Sequence, residues 1–237
     1  MPLPQAIRAL FFDVFGTLVD WRNSIAREAE AVLRPFGYAL DGVVFADAWR
    51  AEYQPAMEQV RQGHVSFCKL DLLHRQNLER ILPRFGVGLL EQAVLEHLTL
   101  AWHRLDAWPD SAPGLHRLKR RFVIAPVSNG NISLLVALAR RNGFPWDAVL
   151  GAEVAGDFKP KPRVYLAACE ALDLRPEQCL MVAAHASDLS VAAACGLRTA
   201  FVTRPHEYGP GKGSPPPHGP VDLSVTSLEH LALELGV

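Results

Sequence analysis

Two kinds of hydrophobic pattern divide the chain. Near its start, Arg8-Ala9-Leu10-Phe11-Phe12 leads into Asp13-Val14-Phe15-Gly16-Thr17, an apolar run that reads as a buried strand ending in a carboxylate. From Ser24 to about Leu105 the apolar residues recur instead at helical spacing, as in Phe45, Trp49, Tyr53, Met57 and Val60, with no strand pattern between. Pro55 falls inside that stripe and is expected to kink the helix or end it, because it has no N–H and its ring meets the preceding turn. From Arg121 onward strand and helix patterns alternate, with strands over 122–127, 148–152, 180–184 and 199–202 and helices over 132–142, 164–172 and 188–195. Asp110-Ser111 before Pro113 marks a helix start, Gly196 after Cys195 a stop, and Thr226-Ser227-Leu228-Glu229 reads as a capping box. Pro126 removes a ladder hydrogen bond from its strand, so a bulge or strand end is expected there.

A first strand, a long helical block and then alternating strands and helices describe an α/β protein. The expected architecture is a doubly wound parallel sheet built from residues 1–18 and 108–237, with a helical cap, 19–107, inserted between and covering the strand ends. Residues 204–220, rich in Pro and Gly around Pro215-Pro216-Pro217, read as a surface loop.

Composition narrows the function classes. With 237 residues, 49% hydrophobic and 21% charged, the chain suits one large domain, or a domain with a smaller insertion. A formal charge of -1 and the lack of long basic runs leave no electrostatic footprint for nucleic acid or an anionic membrane. Cys68, Cys169, Cys179 and Cys195 have no metal-type spacing, which argues against structural zinc and a disulfide framework. No apolar stretch is long enough to span a bilayer, and Met1-Pro2-Leu3-Pro4-Gln5 lacks the features of a signal peptide, so a cytoplasmic protein is expected.

Polar groups at strand ends carry the candidate chemistry. Asp13 faces the crevice where open α/β sheets bind ligands, and Gly16-Thr17 turns the chain so that a hydroxyl returns towards it. Ser128-Asn129-Gly130, Lys159-Pro160 and Ala183-Ala184-His185-Ala186-Ser187-Asp188 likewise follow expected strands. Singly, each has an ordinary structural use: Asp13 in an Asx turn, Ser128 as a helix cap, Lys159 in solvent, Asp188 at a helix N-terminus. A doubly wound sheet brings them to one crevice, as two carboxylates, an ammonium and a hydroxyl.

In order and context these residues resemble the haloacid dehalogenase superfamily, whose four motifs run Asp, Ser or Thr, Lys, Asp along a Rossmann-like core with an inserted cap. Phe-Asp-Val-Phe-Gly-Thr-Leu-Val-Asp-Trp (12–21), Val-Ser-Asn-Gly (127–130), Lys-Pro-x-Pro-Arg-Val-Tyr (159–165) and the Asp188 segment look most like the type II, L-2-haloacid dehalogenases. The metal-dependent phosphatases of the superfamily carry carboxylates where this chain has Phe15 and Ala184. A halide needs neither a proton nor a metal to leave, so the resemblance implies no cofactor and no metal.

The resemblance implies that Asp13 attacks the halogen-bearing carbon of a short haloacid and that water cleaves the resulting ester, with Lys159 orienting Asp13, Thr17 completing its hydrogen bonds and Asp188 positioning or activating the water. It assigns the substrate carboxylate to Ser128 and nearby amides, the halide to Arg50 and Asn129, and further substrate contacts to Phe15, Phe67 and Tyr165. Trp21, Trp49 and Trp102 are expected to pack in the core. The last motif departs from Ser-Ser-Asn-Ala-Trp-Asp and places His185 beside Asp188. His185 is either structural or a catalytic group whose neutral form is the useful one, giving an acid-side limb in the pH profile. Other outcomes compatible with the residues are a related hydrolase acting on another small electrophile or a phosphate ester, and a binding protein without turnover. A homodimer through apolar cap helices is also expected.

Overall fold

The computed structural model describes residues 7–237, so Met1 to Gln5, read above for a targeting signal, lie outside the described residues. In chain order the elements are β1 (Ala9–Phe12), β2 (Val19–Asp20), α1 (Trp21–Leu33), α2 (Gly42–Ala51), α3 (Tyr53–Arg61), α4 (Leu70–Ile81), α5 (Gln92–Thr99), β3 (Asp106–Ala107), α6 (Ser111–Leu118), β4 (Val123–Ser128), α7 (Ile132–Asn142), β5 (Leu150–Gly151), α8 (Ala152–Ala155), α9 (Pro162–Glu170), β6 (Cys179–Ala183), α10 (Ala186–Ala194), β7 (Arg198–Val202), β8 (Leu223–Val225) and α11 (Leu228–Glu234).

Six strands form one sheet in the order β5-β4-β1-β6-β7-β8, every pair parallel. Counted along that sheet alone, the order is 3-2-1-4-5-6, the doubly wound arrangement whose reversal beside the first strand opens a crevice at the carboxyl ends. Strand β1 lies centrally and is wholly buried, which is why its sequence is apolar throughout. Leu10 and Phe12 point into the core shared with the helical block, whereas Ala9 and Phe11 point to the opposite face, against Val164 and Tyr165 of α9.

The stripe from Phe45 to Val60 is buried throughout but spans two helices, with the break at Glu52. Pro55 explains it: its nitrogen cannot donate to the carbonyl of Ala51, so α2 ends there and Pro55 sits in the first turn of α3. Pro126, by contrast, lies inside β4 without a bulge, opposite Phe12. The N–H of Val123 points to β1, bonding Arg8, so alternation turns the nitrogen of Pro126 to the other side, where β5 pairs only with Val127 and Ser128. The strand expected over 148–152 shrinks to β5 because Ala152 already opens α8. Gly151 holds a φ of 117° and a Cβ there would stand 2.3 Å from the Ser128 carbonyl oxygen. The last helix is capped by Ser227, whose side chain accepts from His230 N–H, not by a Thr226/Glu229 box.

Helices α1 to α5 leave and rejoin the sheet through an antiparallel ribbon, β2 with β3, whose two-residue strands carry no periodic signal. Their aromatic side chains meet the sheet at Phe15: Trp102 lies 6.0 Å from its ring and stacks on His74 at 4.3 Å. Trp21, Trp49 and Trp102 are all buried, as expected of packing residues. Burial pulls His74 down to about 3, so this ring is neutral and acts as a flat packing surface.

The segment expected to be a surface loop, 204–220, sends two charged side chains inward. Arg204 and Glu207 are both buried. Arg204 donates through Nε to the Thr17 carbonyl at 2.8 Å, and its two Nη atoms fork onto Asp110 at 2.8 and 3.0 Å. Such a pair is strongly destabilising to break because one buried charge is left without its partner. Arg204→Ala is expected to lower unfolding free energy by about 3 kcal/mol or more in urea titrations. A loss within the surface-pair range of about 1 kcal/mol would contradict the anchoring of the Thr17 turn by this residue.

Candidate active site

Asp13 follows β1 directly, and its N–H extends the ladder to Val182. The chain then turns at Gly16, φ 84°, which brings the Thr17 hydroxyl back to donate to Asp13 Oδ2 at 2.8 Å. The Thr17 oxygen in turn accepts the Ala184 N–H at 2.9 Å, which fixes the hydroxyl proton towards Asp13. Lys159 reaches the same place from the turn before α9: its Nζ lies 2.9 Å from Asp13 Oδ1 and 2.5 Å from Asp188 Oδ2. Its backbone is held on both sides, by Asn129 Oδ1 accepting from its N–H and Arg61 Nη1 donating to its carbonyl. Asp188 lies in the first turn of α10 and also accepts from the Tyr165 hydroxyl.

His185 occupies the N-cap position of α10 with its ring between two carboxylates. Nδ1 is 3.0 Å from Asp13 Oδ2, and Nε2 is 2.9 and 3.1 Å from the two oxygens of Glu207. Both ring nitrogens face acceptors, so both carry protons. Burial alone would depress this histidine, but hydrogen bonds to Asp13 and Glu207, with their charges, outweigh it and push it up to about 10. The expected neutral imidazole with an acid-side limb is therefore corrected: the ring is an imidazolium through the neutral range, paired with Asp13 and Glu207.

The same balance sets the other charges. Burial would raise Asp13, yet the Lys159 ammonium and the His185 ring hold it well below the usual carboxylate range. Burial would lower Lys159, but Asp13 and Asp188 raise it and keep it charged. For Asp188, burial and the neighbouring Asp13 charge win over Lys159, and its affinity for a proton rises. Burial and Asp188 both push the Tyr165 hydroxyl up, so it remains a donor.

These groups open into a cavity of about 960 Å³ bounded by α2, α3 and the strand ends. Asp13, Phe15, Asn129, Lys159, Tyr165, His185 and Asp188 line it, and Arg50 enters from α2. The Arg50 guanidinium lies 4.0 Å over the Tyr53 ring, and its Nη1 is buried without a partner among the described residues. Two expected site residues are placed elsewhere. Ser128 is fully buried, and its Oγ accepts from Gly130 N–H rather than facing the cavity. Phe67 packs on Phe158 at 5.2 Å and does not line the cavity. Glu207 and Tyr53 belong to the site but escaped the sequence reading: one sat in a Pro/Gly-rich loop, the other in a core stripe.

A divalent cation does not fit this donor set. The Lys159 ammonium already bridges both carboxylates, and Phe15 and Ala184 bring no oxygen ligand from their side chains.

Residues 7–196 match the family model described as haloacid dehalogenase-like hydrolase. The chain is 32% identical over 209 residues to (S)-2-haloacid dehalogenase 1 of Pseudomonas sp. (strain CBS-3), covering 85% of this chain and 88% of the relative. Among solved structures, the defluorinating L-2-haloacid dehalogenase Rha0230 is 41% identical with a TM-score of 0.96, covering 100% of this chain and 99% of the other. The L-2-haloacid dehalogenase PA0810 is 46% identical with a TM-score of 0.92 over 97% and 98% of the two chains.

The His185 clamp has a measurable sign. A group raised from about 6.5 to about 10 contributes stability that is full below the lower value and lost as pH rises through the upper one. In an NMR titration the His185 ring is expected to hold imidazolium shifts across the neutral range, where an unperturbed histidine changes charge at about 6.5. A His185 signal titrating near that ordinary value would contradict the clamp.

Proposed function

The chain belongs to the haloacid dehalogenase-like hydrolase family, and we propose that it hydrolyses short L-2-haloacids to 2-hydroxyacids through an ester on Asp13. The observation that carries this reading is a buried carboxylate held ionised and oriented, with an apolar ring, Phe15, where a leaving-group acid would stand. Attack by Asp13 on the substrate carbon forms a C–O bond as the halide departs with the bonding electrons, and no proton is needed. Water then attacks the ester carbonyl, giving up a proton to Asp188, whose raised affinity for protons suits a base.

Lys159 orients both carboxylates, and Tyr165 fixes Asp188. Arg50 and Asn129 receive the halide, the unpartnered Arg50 Nη1 supplying the free donor. The substrate carboxylate docks on amides of the 128–130 turn, which the Ser128 hydroxyl shapes from below. Residues 19–107 act as a cap that excludes water from the first step. The working form is a homodimer joined through the helical block, where Phe36 and Val44 are exposed, in a cytoplasmic setting. Among the described residues no helix is long and apolar enough to cross a membrane.

Asp13→Asn is expected to abolish halide release in a protein that still folds, because the amide preserves shape and removes the nucleophile. In a single turnover in ¹⁸O-labelled water, label is expected in Asp13; label appearing first in the product would show direct attack by water. With L-2-chloropropionate the hydroxyacid is expected with inverted configuration, since displacement inverts the carbon and acyl cleavage leaves it alone. Retention would exclude this route. Exhaustive chelation is expected to leave the rate unchanged; magnesium-dependent phosphate ester hydrolysis without halide release would exclude the reading as a whole.

A further inference from the structure

The two oxygens of Asp13 are held differently. Among the described residues Oδ1 accepts only from Lys159, at 2.9 Å, whereas Oδ2 accepts from Thr17 Oγ1 at 2.8 Å and from His185 Nδ1 at 3.0 Å. Each carboxylate oxygen offers about two lone-pair sites. Those of Oδ2 are taken and one on Oδ1 is open, so Oδ1 is the attacking atom and Oδ2 becomes the carbonyl oxygen of the ester.

We propose that His185 is a catalytic residue of ester hydrolysis, forming with Thr17 an oxyanion hole for Asp13 Oδ2, and that Glu207 is the residue that positions it. The proposal deepens the dehalogenase reading and rests on it. In the hydrolytic step the water oxygen bonds to Asp13 Cγ, one water proton passes to Asp188, and the carbonyl electrons move onto Oδ2, where both donors are already in place. Collapse re-forms the carbonyl and breaks the Cγ–Oδ1 bond. The hydroxyacid leaves with Oδ1 and takes the proton held by Asp188, while the second water proton goes to solvent as the carboxylate re-forms. Preorganised donors aimed at developing charge are the largest single contribution in many acyl transfers. Their effect on the first step is opposite, since they draw charge from the attacking carboxylate.

Glu207 is built for this task. It is fully buried, and besides His185 it accepts from Trp21 Nε1 and Ser214 Oγ, both at 3.3 Å. Its acceptor pair at Nε2 keeps that nitrogen protonated. A neutral ring here would keep its proton on Nε2 and turn a bare Nδ1 lone pair on Oδ2, so the role requires the imidazolium. The charged and titratable groups around the ring are Asp13 after β1, Asp188 from its own helix, Lys159 between those two, and Glu207 with Tyr208 from the loop after β7.

The test separates the two chemical steps. Wild type, His185→Ala, His185→Asn and Glu207→Gln are mixed with L-2-chloropropionate, quenched rapidly, and assayed for chloride, hydroxyacid and intact protein mass. For His185→Ala the expected result is a chloride burst near one equivalent, a protein mass raised by the ester, and hydroxyacid formation slowed roughly 100-fold, the loss typical of removing one oxyanion donor. His185→Asn, which restores an N–H without charge, is expected to recover part of that loss. Glu207→Gln is expected to fold normally and to move the alkaline limb of hydroxyacid formation to lower pH. Equal slowing of chloride and hydroxyacid with no adduct, or no change in either, overturns the oxyanion role. A wild-type protein that releases no halide from any haloacid sinks the dehalogenase reading and this role with it, a result distinguishable from the others because it needs no variant.

Discussion

The Lys159 ammonium bridging two buried carboxylates is the contact on which the site depends. Three charges removed from water are tolerable only because each faces its opposite at hydrogen-bond distance. The sequence of charges continues outward as Asp188, Lys159, Asp13, His185 and Glu207, alternating in sign and brought from four separate segments. Alternation explains why Asp13 stays ionised although its surroundings are apolar, and why Asp188, which shares Lys159 with Asp13, is the carboxylate that yields towards protonation.

That arrangement constrains the fold around it. The strand ends supply the positions, since β1 and β6 are neighbours and deliver Asp13 and the 184–188 turn side by side. Arg204 then ties the loop after β7 to the Thr17 carbonyl and to Asp110 at the start of α6, so one loop holds both the nucleophile's turn and the carboxylate behind His185. On the other side Phe15 sits against the aromatic cluster of the helical block, and Arg50 enters above it. An anionic substrate would meet Arg50 as a cation not already committed to a carboxylate.

Much of this was legible in the sequence because it follows from period and order. Apolar runs near one strand's length, separated by helical stretches, describe a doubly wound sheet whatever the details, and such a sheet must gather residues like Asp13, Lys159 and Asp188 at one end. What escaped lacks period. The β2 and β3 ribbon is too short to alternate, and Ala152 gives no local sign that it begins a helix rather than ending a strand. Pro and Gly marked 204–220 as loop, which is right for its backbone but says nothing about where Arg204 and Glu207 point. The charge of His185 has the same origin, because it depends on a second carboxylate, Glu207, that is distant in sequence.

Gly16 gives that last point a wider reach. A methyl group on it would stand 2.1 Å from Glu207 Oε1, so the glycine that turns the chain after Asp13 also makes room for the acid that keeps His185 charged. Residues 16, 185 and 207 are thus coupled in space although they lie far apart in the chain. A protein of this fold that acquired the histidine alone would gain an ordinary imidazole, and one that acquired the glutamate beside a bulkier turn residue could not seat it.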